Sequence, residues 1–229
     1  MINNIFHNCA YSYSHGVDKT HMGLFYLYYS LVYTNKAKIC VVLGSGGGIV
    51  PMAFAEAQRD LGYGITYLID GYGLENVSTT FGTPIEDGGW ALENSIMFDN
   101  YPEICVHNAL TSEYGKHFNK IDVLHIDAEH TYDAVLQDFS YYQHALIDTS
   151  IITFHDTQDD GIQQAVCEIA EEYNFEALHL RDMASGLSIL RKSHKDGYES
   201  NLYDDCKTRP ESHTWTLGPE KGPKTWGSK

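Results

Sequence analysis

The chain has 229 residues, enough to bury the core of one domain with extensions, and 43% of them are apolar, an ordinary globular share. Its 15 basic residues against 31 acidic ones give a formal charge of −16. A surface this acidic repels phosphate backbones and no Lys/Arg run offsets it, so nucleic acid is excluded as the expected partner.

The N-terminus lacks the basic stretch that opens a secretory signal; residues 1–20 are rich in Asn, Tyr, Ser and His with little periodicity. A helix is predicted over about 20–34. Its aromatic residues Phe25, Tyr26, Tyr28, Tyr29 and Tyr33 read as packing, with a lid over substrate as the further option. The apolar run 23–33 is too short to span a bilayer, so no membrane partner is expected. Lys38-Ile39-Cys40-Val41-Val42-Leu43 then reads as a buried parallel strand that ends at glycines. Ile49, Ala53, Phe54, Ala57 and Leu61 repeat at helical spacing, with Gly62 as the stop. A second strand is predicted over 65–69, ending at Asp70. A long connection over 71–102 follows, with a helix at 90–99.

Further strands are predicted at 103–107, Ile121–Ile126 and 150–154. A helix carrying Tyr132, Val135, Leu136, Phe139 and Tyr142 lies between the last two. Ile162, Val166, Ile169 and Tyr173 mark another helix, and Phe175–Leu180 with 186–190 read as a closing pair around a turn at 182–185. Strands alternating with helices imply an α/β fold: a doubly wound, Rossmann-like, mostly parallel sheet with an antiparallel edge. The expected division is an N-terminal helical or lid extension (1–36), a central α/β domain (37–192), and an extended or disordered tail (193–229) that could dock on another subunit of a homo-oligomer. Cys9, Cys40, Cys105, Cys167 and Cys206 are scattered without a CxxC pair, which points to a reduced, cytoplasmic setting.

Gly44-Ser45-Gly46-Gly47-Gly48 joins the first strand to the following helix. Glycine there permits a tight turn and close backbone approach to a ligand, and the helix N-terminus favours negative charge. A dinucleotide fingerprint would need glycine at position 49, where Ile49 stands. Gly44, Ser45, Gly46 and Gly48 are therefore candidate cofactor contacts, the alternative being a plain glycine turn. Asp70, at the carboxyl end of the second strand, could accept two hydrogen bonds from a ribose diol, or could cap a turn. Asn108 and Ala109 stand where an adenine ring would be flanked.

The most specific segment is Ile121-Asp122-Val123-Leu124-His125-Ile126-Asp127-Ala128-Glu129-His130-Thr131-Tyr132, taken with Ile151-Ile152-Thr153-Phe154-His155-Asp156-Thr157. The two turns lie at the carboxyl ends of adjacent strands, so Asp127 and Asp156 should face one crevice. Together with the G-x-G-x-G spacing, this pattern resembles class I S-adenosylmethionine-dependent methyltransferases over about residues 38–192. The likeness is to the small-molecule O-methyltransferase branch, in particular macrolide sugar O-methyltransferases and, more distantly, catechol O-methyltransferase.

The resemblance implies S-adenosylmethionine as cofactor and a small-molecule hydroxyl (sugar, polyol or phenolic) as acceptor. In the sugar O-methyltransferases an acid at the Asp127 position and two acids after the fifth strand hold a metal. Here Asp127, His155 and Asp156 would be the ligands of a divalent ion, Mg²⁺ or Mn²⁺. One expected carboxylate is an imidazole, which Mn²⁺, Fe²⁺ or Zn²⁺ tolerates better than Mg²⁺. A histidine at the spacing of His130 is the general base proposed in that branch, so His130 and Asp127 are the expected catalytic residues. His125, inside the strand, reads as structural. Two other readings stay open: a metal-free N-methyltransferase, and a non-catalytic binding protein on the same fold.

Overall fold

The computed structural model describes residues 12–17, 21–44, 46, 48–71 and 101–192. The helix expected at 90–99, the tail at 193–229 and Ser45 lie outside the described residues. Seven strands form one sheet: β1 (Ile39–Leu43), β2 (Ile65–Asp70), β3 (Ile104–Asn108), β4 (Ile121–Ile126), β5 (Leu146–His155), β6 (Phe175–Leu180) and β7 (Leu187–Lys192), in the order β3-β2-β1-β4-β5-β7-β6. Neighbours from β3 through β5 run parallel, while β7 is antiparallel to both β5 and β6. The order reverses between β1 and β4. That is the switch point at which open α/β sheets leave a crevice.

The central strands β1 and β4 are buried on both faces, which is why they are apolar without strict alternation. Cys40, Val42, Leu68 and Val123 pack with helices α1 (Phe25–Asn35) and α2 (Ile49–Leu61). Val41, Leu43, Ile69, Leu124 and Ile126 pack on the other side, with α4 (Tyr132–Tyr142) and α5 (Asp160–Glu172) and beside the short α3 (Thr111–Tyr114). The helices stop and start where their caps dictate. α2 ends at Gly62 in the left-handed conformation, φ 76°. Thr131 caps α4 by accepting from the Ala134 amide, and Asp159 caps α5 by accepting from Gly161 and Ile162.

Three of the differences from expectation bear on the site. β5 begins at Leu146, ahead of the apolar run, because Ser150 is buried in the strand and donates its hydroxyl to the Ile121 carbonyl at 2.6 Å. β7 runs on to Lys192 through Arg191, which the apolar pattern does not reach. α1 begins at Phe25, not near residue 20, because the chain before it is a strap across the sheet's carboxyl edge. The strap holds a 3-10 turn (Ser12–His15), a bridge from Val17 to Met22, and a hydrogen bond from the Leu24 amide to the His15 carbonyl at 2.9 Å. Gly23 makes the fit possible: a Cβ there would stand 2.2 Å from the His15 carbonyl oxygen. The Ser185 amide, in the turn before β7, donates to the Ser14 carbonyl at 3.0 Å and ties the strap down. No helix among the described residues is long and apolar enough to cross a membrane.

Candidate functional site

The two-residue period of the strands sets the site. His125 on β4 lies opposite Thr153 on β5, and Asp127 and His155 follow two residues later on the same face. Asp156 comes next, in a left-handed conformation at φ 53° that turns its carboxylate back toward the cluster. Such a conformation costs a non-glycine residue about 1–3 kcal/mol, and asparagine and aspartate tolerate it best. His130 arrives from the β4–α4 loop. His15 arrives from the strap, and its ring stacks on His155 with centroids 3.8 Å apart.

Asp127 stands at the centre. His130 bridges the two acids, with Nε2 3.2 Å from Asp127 Oδ1 and Nδ1 3.1 Å from Asp156 Oδ2. His155 Nδ1 lies 3.4 Å from Asp127 Oδ1 and 3.4 Å from Asp156 Oδ2. His15 Nε2 and His125 Nε2 approach Asp127 Oδ2 at 3.6 and 3.7 Å. The far nitrogens are engaged elsewhere. His155 Nε2 donates to the Ser14 carbonyl at 3.1 Å, His15 Nδ1 meets the Tyr28 hydroxyl at 3.2 Å, and His125 Nδ1 meets the Thr153 hydroxyl at 2.8 Å.

Burial and charge split the histidines. Burial opposes a charge on His155, but Asp127 and Asp156 outweigh it and push the imidazole up to about 10. Burial, with His155 alongside, holds His15 down to about 4, so one ring of the stack carries the proton. Burial also lowers His125. Burial would raise Asp127, yet His155 and the imidazoles of His125, His130 and His15 hold it well below the usual carboxylate range. His130 is raised, the pull of Asp127 exceeding the effect of burial.

The glycine loop borders this cluster. A Cβ on Gly44 would lie 2.1 Å from the Asp127 carbonyl oxygen, so glycine is what lets the ends of β1 and β4 abut. The Gly44 amide is used within the sheet, donating to the Ile69 carbonyl at 3.0 Å. Gly46, at φ 43°, has open space where a side chain would be, and Gly48 precedes α2 at φ 80°. Asp70 ends β2 opposite Asn108 at the end of β3, and the Ala109 amide donates to the Asp70 carbonyl at 3.0 Å. Gly44, Gly46, Gly48, Asp70, Asn108 and Ala109 thus follow the carboxyl ends of β1, β2 and β3 in turn.

Asp127, His130, His155 and Asp156 are brought together as the motif suggested. Asp127 does not cap α4; Thr131 does. His125 is fully buried in its strand as expected, but its Nε2 is aimed at Asp127. Sequence reasoning missed His15, which reaches the site through the strap and carries no periodic or motif signal at that distance from residue 127. Tyr28, expected as packing with a lid as the further option, is buried in α1 and meets His15.

The sequence profile of a methyltransferase-domain family matches residues 41–157, just over half of the chain. The chain belongs to that family. As expected for such an S-adenosylmethionine-dependent methyltransferase, similar solved structures are abundant. One is the O-methyltransferase from Bacillus cereus in complex with S-adenosylhomocysteine, at 16% identity over 83% of this chain and 87% of that one, with a TM-score of 0.54. Another is the S-adenosylhomocysteine-bound methyltransferase of Podospora anserina, at 12% over 74% and 77%, TM-score 0.55. A third is the O-methyltransferase NovP, at 12% over 77% and 81%, TM-score 0.59. At these identities the likeness shows the shared fold. No curated protein matches the chain in sequence.

Proposed function

We propose that this methyltransferase transfers a methyl group from S-adenosylmethionine to a hydroxyl of a small molecule, with His130 as general base and a divalent ion held by Asp127, His155 and Asp156. The observation that carries the reading is the position of His130, with its two ring nitrogens 3.2 and 3.1 Å from the two acids, beside the glycine loop. The acceptor oxygen attacks the sulfonium methyl in line; a C–O bond forms, the C–S bond breaks, and the thioether leaves uncharged. The acceptor must lose its proton, and that is the step needing a base. His130 would take it at a ring nitrogen once the acids on either side no longer claim both nitrogens.

The donor set bears on which ion fits. Mg²⁺ seeks six oxygen ligands, whereas an imidazole between two carboxylates suits Mn²⁺ better. When bound, such an ion lowers the pKa of a coordinated hydroxyl. Asp70 would hold the ribose of the cofactor, and Gly44, Ser45, Gly46, Gly48, Asn108 and Ala109 would line its path. A sugar, polyol or phenol fits this chemistry equally. The test is methyl transfer to a panel of hydroxyl acceptors by chelated and Mn²⁺-restored protein, alongside Asp156→Asn. Turnover that needs the ion and fails in Asp156→Asn is expected. Turnover indifferent to both removes the ion from the mechanism, and transfer only to amines added to the panel favours metal-free methylation of nitrogen. Cofactor binding without turnover on any acceptor favours a binding protein.

A further inference from the structure

We infer that His15, on the N-terminal strap, is a ligand in a nitrogen-rich site for a first-row transition ion, shared with Asp127 and His155 and closed to Mg²⁺. The inference rests on the metal-assisted reading above and extends it by naming the strap as a source of ligand and the class of ion.

Ring orientation carries the first part. His155 donates Nε2–H to the Ser14 carbonyl, so Nδ1 is the nitrogen it offers to the site, 3.4 Å from two carboxylate oxygens. His125 Nδ1 meets the Thr153 hydroxyl at 2.8 Å, so its Nε2 is the nitrogen aimed at Asp127. That Nε2 is fully buried and has no hydrogen-bond partner. A buried imidazole nitrogen that lacks a hydrogen-bond partner and is aimed at a carboxylate is a position that a bound cation would satisfy.

Spacing carries the second part. The separations of 3.4–3.7 Å from Asp127 to His155, His15 and His125 exceed good N–H···O bonds. Two ligands at metal bonds of about 2.0–2.1 Å and a tetrahedral angle lie about 3.4 Å apart. Ligand atoms of His15, Asp127 and His155 all fall within 4.8 Å of one another. The outer contacts of His15 to Tyr28 and of His155 to Ser14 are the kind that fix ligating imidazoles in tautomer and direction. Imidazole donors select transition ions over Mg²⁺.

The test is isothermal titration of chelator-stripped full-length protein with Zn²⁺, Co²⁺ and Mg²⁺, and of His15→Ala and His15→Gln with the same ions. Zn²⁺ and Co²⁺ should bind far more tightly than Mg²⁺. Each variant should lose at least about tenfold in Co²⁺ affinity, as much as a lost outer contact costs a metal site, with S-adenosylhomocysteine affinity kept. Should both variants fail to fold, the cobalt form of the unaltered chain decides: hyperfine-shifted imidazole N–H signals from two or more histidines are expected. A single such signal, an unchanged Co²⁺ affinity in a folded variant, or Mg²⁺ binding as tight as Zn²⁺ overturns the inference. All of these readouts are independent of turnover. Metal-dependent methylation in a chain indifferent to His15 sinks only this inference, and metal binding through His15 without methyl transfer sinks only the catalytic reading.

Discussion

His130 is held between two acids, and this has a consequence for its own replacement. A positioned base is worth about 10²–10⁴-fold in rate. His130→Ala should therefore lower kcat by that factor on the true acceptor, with the S-adenosylhomocysteine dissociation constant unchanged by calorimetry. Wild-type kcat in this variant would assign the proton to water or another side chain. Asp70, at the end of β2 and 8% exposed, gives the opposite pattern. Losing a hydrogen bond between a ribose and a charged group costs roughly 1.5–3 kcal/mol. Asp70→Ala should weaken S-adenosylhomocysteine by that amount while the metal titration stays as in wild type. Binding of a nicotinamide dinucleotide with no response to either sulfur cofactor would contradict the role given to Asp70.

At the level of elements, α3 and α4 are joined by a buried acid. Asp138 accepts a hydrogen bond from the Thr111 hydroxyl at 2.5 Å, and burial, against that bond, pushes its carboxyl up from 3.8 to about 6. The folded protein thus binds this proton more tightly than the unfolded chain. The stability it contributes is fully present below about pH 3.8 and is lost as pH rises through about 6. The loss amounts to about 3 kcal/mol. Asp138→Asn should flatten that part of the stability curve, so urea midpoints of the two proteins measured across this window should converge at its acid end. Parallel curves would mean that Asp138 keeps its charge at acid pH.

The same elements explain what could be read from sequence. β1, β2 and β4 are apolar on both faces, so their periods and glycine stops were legible, and the order of helices and strands followed. The strand expected at 150–154 starts four residues late, because Asp148 and Thr149 interrupt the apolar run of β5. Asp127, His130, His155 and Asp156 were legible because two adjacent strand ends must converge. His15 was not, since its place depends on a close fit at Gly23 and a carbonyl tied to Ser185, neither of which leaves a pattern.

For the molecule as a whole, the abutment of Gly44 on Asp127 links the glycine loop to the histidine cluster. Gly44→Ala would push a methyl into the Asp127 backbone, at a cost of about 1–3 kcal/mol for overpacking. S-adenosylhomocysteine and Co²⁺ affinities should fall together in that variant, whereas Asp70→Ala should touch only the first. Independent responses in Gly44→Ala would separate the two sites.

The strap also dictates an order of events in time. The His155 ring that Ser14 orients is 141 residues further along the chain, and Ser185, which ties the strap down, is further still. Contacts so distant along the chain form late, because closing the intervening loop is entropically costly before the sheet exists. The central strands should therefore assemble first and the strap settle on a finished edge, which makes the histidine cluster the last part of the molecule to mature. Pulse-labelled hydrogen exchange during refolding should show the Leu24 and Ser185 amides gaining protection after that of Val41. Simultaneous protection would mean that the strap folds with the sheet and that the site is born complete.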